Sequence, residues 1–232
     1  MQVVILAGGL GTRLHPLTGK MPKCMAQVAG RPFLSYLLHL FGAKGVDEII
    51  LCTGYMGEQV ESYFGNGNEM GLKLRYSQEK TGLLGTGGAL KLAEPLLCDS
   101  FLVINGDTYI DIDYNAIFHS FTRSSTQALI VTSPGDRKGR CDMAVDNSLM
   151  VTRYDKTGGG GLDYVNAGVM AFRREVVSAI APACPVSLER DVFPPLISRR
   201  QVMAYITAQK FYDIGTFAGL DIFKQAMKEP LP

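Results

Sequence analysis

Three features of the chain have residue types and spacings suited to chemistry. The first is Gly8-Gly9-Leu10-Gly11-Thr12-Arg13, directly after the apolar run Val3-Val4-Ile5-Leu6. Glycines at the end of a strand let backbone N–H groups close on an anion, and an arginine can hold a phosphate through two parallel hydrogen bonds. The second is Met21-Pro22-Lys23-Cys24, where the ring of Pro22 fixes φ and Lys23 follows as a point charge. The third is a pair of glycine-bearing turns, Gly85-Thr86-Gly87-Gly88 before Ala89, and Asn105-Gly106-Asp107 after the apolar run that starts at Phe101. Taken singly, each has an ordinary reading: a tight turn, a solvated lysine, a turn or cap aspartate.

Common anion-binding motifs fail residue by residue. A dinucleotide G-x-G-x-x-G begun at Gly9 needs glycine where Leu14 stands, and no acidic residue follows near position 30. A phosphate loop ending in Gly19-Lys20 needs glycine at Leu14 and a hydroxyl residue at Met21. The charge distribution nevertheless favours a local anion site. Met1 to Val46 contains Arg13, Lys20, Lys23, Arg31 and Lys44 and no acidic residue, while the whole chain nets only +1. That balance argues against a nucleic-acid protein relying on overall basicity.

The remaining inventory excludes other classes. The 232 residues, 47% hydrophobic and 19% charged, are enough to bury a core without disulfides or structural metal. Cys24, Cys52, Cys98, Cys141 and Cys184 are scattered, odd in number and without a CxxC, which points away from zinc and towards a reducing cytoplasm. His15, His39 and His119 are too few and too dispersed for a histidine-rich metal site. The opening apolar run is interrupted by Gly8 and Gly9, so no signal peptide is expected, and no 18-residue apolar span predicts a membrane helix.

These residues need elements to position them. Val3–Leu6 reads as a buried parallel strand, and Pro32 to Phe41 has helical apolar spacing. Strands are expected at 48–52, 72–77, 101–105 and 128–132, alternating with helices at 56–64, 85–92 and from Asp113 to about Thr122. Such alternation implies right-handed βαβ units and a mainly parallel sheet. Further strands are expected at 143–145, 149–153, 164–172 and 202–207, with a glycine loop at 158–161, a short helix within 185–197 and a last helix at 217–227. In such sheets ligands bind at the carboxyl ends of the strands. The loop after Leu6, the loop before Ala89 and Asp107 should meet there.

At this point the chain resembles the sugar-1-phosphate nucleotidyltransferase family. The resemblance rests on GGLGTRLHPLT followed by Pro22-Lys23, then on Gly85-Thr86-Gly87-Gly88-Ala89, Asn105-Gly106-Asp107, Asn166-Ala167-Gly168 and Phe211-Tyr212-Asp213-Ile214-Gly215-Thr216, in order along nearly the whole chain. The length and the Ser187-to-Pro194 segment resemble members that are manno-heptose 1-phosphate or mannose 1-phosphate guanylyltransferases. The resemblance implies an α/β, three-layer Rossmann-like fold with a mainly parallel mixed sheet. It implies one domain over 1–232, with nucleotide binding by about 1–110 and sugar-phosphate binding by about 111–232. The implied substrates are an NTP, with GTP expected, and a sugar 1-phosphate. No nucleic acid or membrane partner is expected, and the chain would be a monomer or homodimer.

The resemblance also implies roles. Leu6, Gly8, Gly9, Gly11, Thr12, Gln78, Thr86 and Gly88 would contact the nucleotide. Arg13 would hold the β- and γ-phosphates, and Lys23 would bridge phosphates near the α-phosphorus. Asp107, grouped with Arg13 and Lys23 as catalytic, would hold Mg²⁺ together with Asp213. Asn105, Lys156, Asn166, Gly168 and Glu189 would contact the sugar phosphate. Asp213 could instead cap the last helix, Glu189 could belong to an exposed helix face, and Asp113 is better read as a helix cap with Asp111 beside it. A phosphate monoester, with a second pKa of about 6, is already largely dianionic and needs no general base. Two alternatives stay open: another base and another sugar phosphate or phosphocholine, or a non-catalytic nucleotide-sugar-binding regulator. A regulator should have lost Arg13, Lys23 or a metal aspartate; all are present.

Overall fold

The computed structural model describes residues 1–9, 11, 21–46, 48–135, 141–158 and 160–227. Thr12 and Arg13, with Lys20 and Gly159, lie outside the described residues. The first half runs β1 (Gln2–Leu6), a 3₁₀ turn at Lys23–Met25, β2 (Gln27–Val28), β3 (Arg31–Pro32), α1 (Phe33–Ala43), β4 (Glu48–Thr53), α2 (Gly57–Phe64), β5 (Lys73–Gln78), α3 (Gly85–Ala93) and β6 (Ser100–Asn105). The second half runs β7 (Thr108–Ile110), α4 (Tyr114–Arg123), β8 (Ala128–Pro134), β9 (Met143–Val145), β10 (Val151–Tyr154), β11 (Tyr164–Arg173) and α5 (Arg174–Ser178). A π turn at Leu188–Val192 then leads into α6 (Phe193–Ser198), β12 (Val202–Ile206), β13 (Phe211–Asp213) and α7 (Phe217–Ala226).

The central strands β5, β4, β1 and β6 lie side by side and parallel. Strand β11 joins beside β6 in the antiparallel sense, with Val169 opposite Ile104. Its other side pairs with β8, which β12 extends in parallel, while β9 and β10 continue from the β11 end. The two halves of the chain therefore share one mixed sheet.

Parallel strands buried on both faces need apolar side chains pointing both ways. Val3 and Ile5 enter one core with residues of α1, α4 and α7, and Val4 enters the other with residues of α3, α5 and α6. The result is the expected three-layer α/β Rossmann-like arrangement. Phe223 of α7 packs its ring against Phe33 and Tyr36, at centroid distances of 5.0 and 5.5 Å, which ties the last helix to the first. Asp113 caps α4 by accepting from Ala116 N at 2.9 Å. Its neighbour Asp111 instead pairs with Lys44 at 2.6 Å.

Two small ribbons were not expected. Strands β2 and β3 pair ahead of α1, and β7 pairs antiparallel with β13, setting Thr108 opposite Asp213. Among the described residues no helix is long and apolar enough to cross a membrane.

Candidate functional site

The carboxyl ends of β1 and β6 meet because of Gly106. Its N–H donates to Leu6 O at 2.9 Å, and a Cβ there would sit 2.6 Å from that same oxygen. Only glycine allows one strand end to cross so closely over the other. Beyond this crossing opens a cavity of about 380 Å³, lined on one side by Leu6, Ala7, Gly8, Gly9 and Gly11 and on the other by Asn105, Gly106 and Asp107.

Lys23 enters this cavity from the 3₁₀ turn that Pro22 introduces in extended conformation, with Cys24 and Met25 buried beneath it. Its ammonium pairs with the Asp107 carboxylate. An ammonium carries three donors, so this pairing leaves others for a ligand. Asp107 is also tied to the C-terminal part of the chain: its carbonyl accepts from Ile214 N at 2.9 Å. Asp213, one residue earlier, is exposed, and its Oδ1 accepts from Gly215 N at 2.6 Å. The helix cap is Thr216, whose hydroxyl accepts from Gly219 N, so Asp213 does not cap α7. Asp213 does not line the cavity, although Gly215 does. Among the described residues no group of three or more His, Cys, Asp and Glu could hold a metal unaided.

Glu79 lines the cavity where Gln78 was expected. Gln78 turns away and donates to Glu58 at 2.5 Å. Glu79 stands just past the end of β5, and its Oε1 accepts from Leu84 N at 2.5 Å. Its other oxygen lies over Gly8, where a Cβ would come within 2.5 Å of it. Burial raises the Glu79 pKa, and the Leu84 N–H offsets only part of that rise. A carboxylate one residue beyond a parallel strand's carboxyl end was the available signal for it.

The far end of the cavity is built by side chains. Lys156 donates to Glu189 Oε1 at 2.7 Å, while Ser187 and Thr86 hydroxyls donate to Oε2 at 2.8 and 3.3 Å. Glu189 sits at the start of the π turn, and single π turns are frequent at functional sites. Burial of its carboxylate acts to raise the pKa, but Lys156, with the Glu189 backbone N–H and Ser187, outweighs it and the net shift is downward. Glu189 is therefore not on an exposed helix face. Gly88 is buried against the Cys184–Val186 segment and does not line the cavity. Asn166 and Gly168 also lie off the cavity. Asn166 Oδ1 accepts from Gly168 N at 2.8 Å in a register shift of β11, and Gly168 packs on Thr108, next to Asp107.

The cavity has features that constrain its chemistry. Cys24 and Cys52 line it, but burial pushes both thiols up to about 12, so neither is a ready thiolate nucleophile. Its described lining holds three carboxylates, Glu79, Asp107 and Glu189, against the ammonium groups of Lys23 and Lys156. A polyanionic ligand needs more positive charge than that. Arg13, the other phosphate contact expected from the sequence, lies outside the described residues.

Comparison with known proteins gives a consistent result. The family described as "Nucleotidyl transferase" matches residues 2–229. The chain is 34% identical over 220 residues to the mannose-1-phosphate guanylyltransferase of Mycobacterium tuberculosis. That match covers 93% of this chain and 61% of the relative, so the chain spans less than two thirds of that protein's length. Over 230 residues it is 30% identical to the D-glycero-alpha-D-manno-heptose 1-phosphate guanylyltransferase of Aneurinibacillus thermoaerophilus, covering 99% of this chain and 98% of that one. The crystal structure of HddC from Yersinia pseudotuberculosis superposes with a TM-score of 0.83 at 30% identity, covering 98% of this chain and 99% of the other.

Proposed function

The chain belongs to the nucleotidyl transferase family, and on that premise we propose that it transfers GMP from GTP to a sugar 1-phosphate of mannose or manno-heptose type, releasing pyrophosphate. The observation that carries this reading is a single cavity with two unlike ends. One end offers glycine backbone and the Lys23–Asp107 pair; the other offers the Lys156–Glu189 pair. An NTP and a phosphorylated sugar would meet between them.

In the proposed reaction a sugar phosphate oxygen attacks the α-phosphorus in line. The new P–O bond forms as the bond to the β-phosphate oxygen breaks, and pyrophosphate leaves. The nucleophile is already anionic near neutral pH, so the protein's task is alignment and charge neutralisation. Lys23 would direct its remaining donors at the phosphates, and Arg13 would hold the departing pyrophosphate. Asp107 in the cavity and Asp213, outside its lining but opposite Thr108 in the β7/β13 ribbon, would supply the carboxylates that, with phosphate oxygens and water, suit Mg²⁺. When bound there, Mg²⁺ would neutralise charge at the α-phosphate.

Glu79 supports guanine over the other bases. An ionised carboxylate accepts and has no donor, and with Oε1 bonded to Leu84 N the lone pairs of Oε2 remain for a base. Guanine alone among the common bases offers two adjacent donors, its ring N1–H and its exocyclic amino group. Adenine and cytosine pair one donor with a ring acceptor, and uracil flanks its one N–H with carbonyls. The division of labour near residues 110 and 111 belongs to the same proposal, with Thr86 and Gly215 as contributions across it. Five free thiols favour a reducing, cytoplasmic setting.

The test is to offer the purified protein all four NTPs and a panel of sugar 1-phosphates with Mg²⁺ and to measure pyrophosphate. Release with GTP and a manno-configured sugar phosphate is expected. No release with any pair would overturn the activity, and a preference for another base would overturn the assignment to GTP.

A further inference from the structure

Thr86 links the two ends of the cavity. It is the second residue of α3 (Gly85–Ala93), and its side-chain oxygen makes two hydrogen bonds of opposite sense. It accepts from Leu188 N at 2.8 Å and donates to Glu189 Oε2 at 3.3 Å. The chain ahead of Leu188 is bound to the same helix start: Val186 N donates to Leu84 O, and Gly87 N to Val186 O, both at 2.8 Å. A Cβ at Gly87 would lie 2.8 Å from the Val186 side chain, so the two backbones sit close together. The π turn that carries Glu189 is thus seated on the helix that borders the nucleotide end.

From this we infer that Thr86 is a positioning residue for Glu189, acting on sugar-phosphate binding and not through a side-chain contact with the nucleotide. The inference rests on the reading of Glu189 and Lys156 as the sugar-phosphate end. A hydroxyl is both donor and acceptor, and both capacities are used here. Valine has nearly the same shape but neither capacity. It would strand the Leu188 N–H and remove one of the donors on Glu189, whose side chain is only 13% exposed. Serine retains both bonds. The carboxylate would then be fixed by the nucleotide-side helix before the sugar phosphate arrives.

The experiment compares wild type, Thr86→Val and Thr86→Ser by steady-state kinetics, varying GTP and mannose 1-phosphate separately. In Thr86→Val the KM for the sugar phosphate should rise about tenfold or more, as expected for one lost hydrogen bond to a charged group. The KM for GTP should stay within about twofold, and Thr86→Ser should match wild type within about threefold by the same reasoning. A rise in the GTP KM with the sugar-phosphate KM unchanged would overturn the inference, as would equal losses in both. A second readout needs no turnover: the side-chain carboxyl resonance of Glu189, followed by NMR against pH. It should titrate higher in Thr86→Val than in wild type and Thr86→Ser. Identical titration in all three would refute the positioning role. If wild type were inactive with every substrate pair, the functional reading would fail while the titration still decided whether Thr86 holds Glu189.

Discussion

The two ends of the cavity are built by different means. The end proposed for the nucleotide is mostly backbone: glycine turns at the carboxyl ends of β1 and β6, brought together by the Gly106 crossing, with Lys23 and Asp107 as its charged pair. The end proposed for the sugar phosphate is mostly side chain: Glu189 on a π turn, held by Lys156, Ser187 and Thr86. Backbone placed by a buried parallel sheet has little freedom, so its failures should be large and steric. Side chains holding one another can lose a member and partly recover, so their failures should be smaller and selective for one substrate.

The sharpest test of that contrast is Asp107→Ala. It removes the partner of Lys23 and one of the two carboxylates proposed for Mg²⁺. Loss of electrostatic stabilisation at the reacting phosphate is expected to lower kcat on the order of 10³-fold. Binding of GTP, measured by calorimetry, should change far less. Glu189→Gln should instead raise the KM for the sugar phosphate about tenfold while sparing kcat. A comparable collapse of kcat in both variants would remove the distinction between the two ends.

The contrast also explains what the sequence revealed. The sheet was legible because β1, β4 and β6 are continuous apolar runs ending in glycine or small polar residues, a local pattern. The Asp113 cap was legible for the same reason. The β7/β13 ribbon was not: each strand has three residues, and pairing joins positions about a hundred apart. That ribbon and the Ile214–Asp107 bond bring Asp213 near Asp107, so only the family resemblance suggested their association. Gln78 and Glu79 illustrate a finer limit. The end of β5 was legible, but side chains alternate across a strand, and a one-residue difference decides which of them faces the cavity. The π turn has no sequence period of its own, so Glu189 could equally have been surface.

Glu79→Gln probes the nucleotide end from its side-chain component. The amide can still accept from Leu84 N but offers a donor where the proposed guanine would need an acceptor. The preference for GTP over UTP should fall by about 10- to 100-fold. Stability should move the other way. Burial raises the Glu79 pKa in the fold, so its contribution is favourable below the ordinary glutamate value and is lost as pH rises through the raised one. The glutamine variant lacks that loss. Its Tm relative to wild type should increase as pH rises from below the ordinary glutamate value to neutrality; a constant difference would show that Glu79 is not held in a destabilising environment.

Gly106→Ala tests the backbone crossing directly. The added methyl would meet Leu6 O at 2.6 Å and Ala7 Cα at 3.1 Å, and neither is the end of a flexible side chain. Overpacking of this kind costs about 1–3 kcal/mol. For a chain of this length that corresponds to a fall in Tm of about 3–10 °C. An alanine variant with unchanged Tm and activity would mean that the β1 and β6 ends can separate, and that the nucleotide end is less rigid than the sugar end.

Lys156→Met should give the smallest effect. The Lys156 side chain is 54% exposed, so its ion pair with Glu189 is screened and worth about 0–1 kcal/mol. Its influence should appear in pH dependence more than in magnitude. Burial acts to raise the Glu189 pKa and the Lys156 bond is foremost among the opposing influences, leaving the net shift downward. A lowered carboxylate pKa gives stability that is present above the unfolded value and is lost as pH falls through the folded one. Without Lys156, burial regains weight and the folded pKa rises, so the acid-induced loss of stability should be smaller and complete at a higher pH. Thermal melts of wild type and Lys156→Met from pH 3 to pH 7 should differ by at most about 3 °C at neutrality, following the size of the pair. The curves should converge towards the acid side, where Glu189 is protonated in both proteins and the pair no longer contributes. A difference that stayed constant with pH would mean that the remaining donors hold Glu189 ionised without Lys156, making the sugar end as self-sufficient as the nucleotide end.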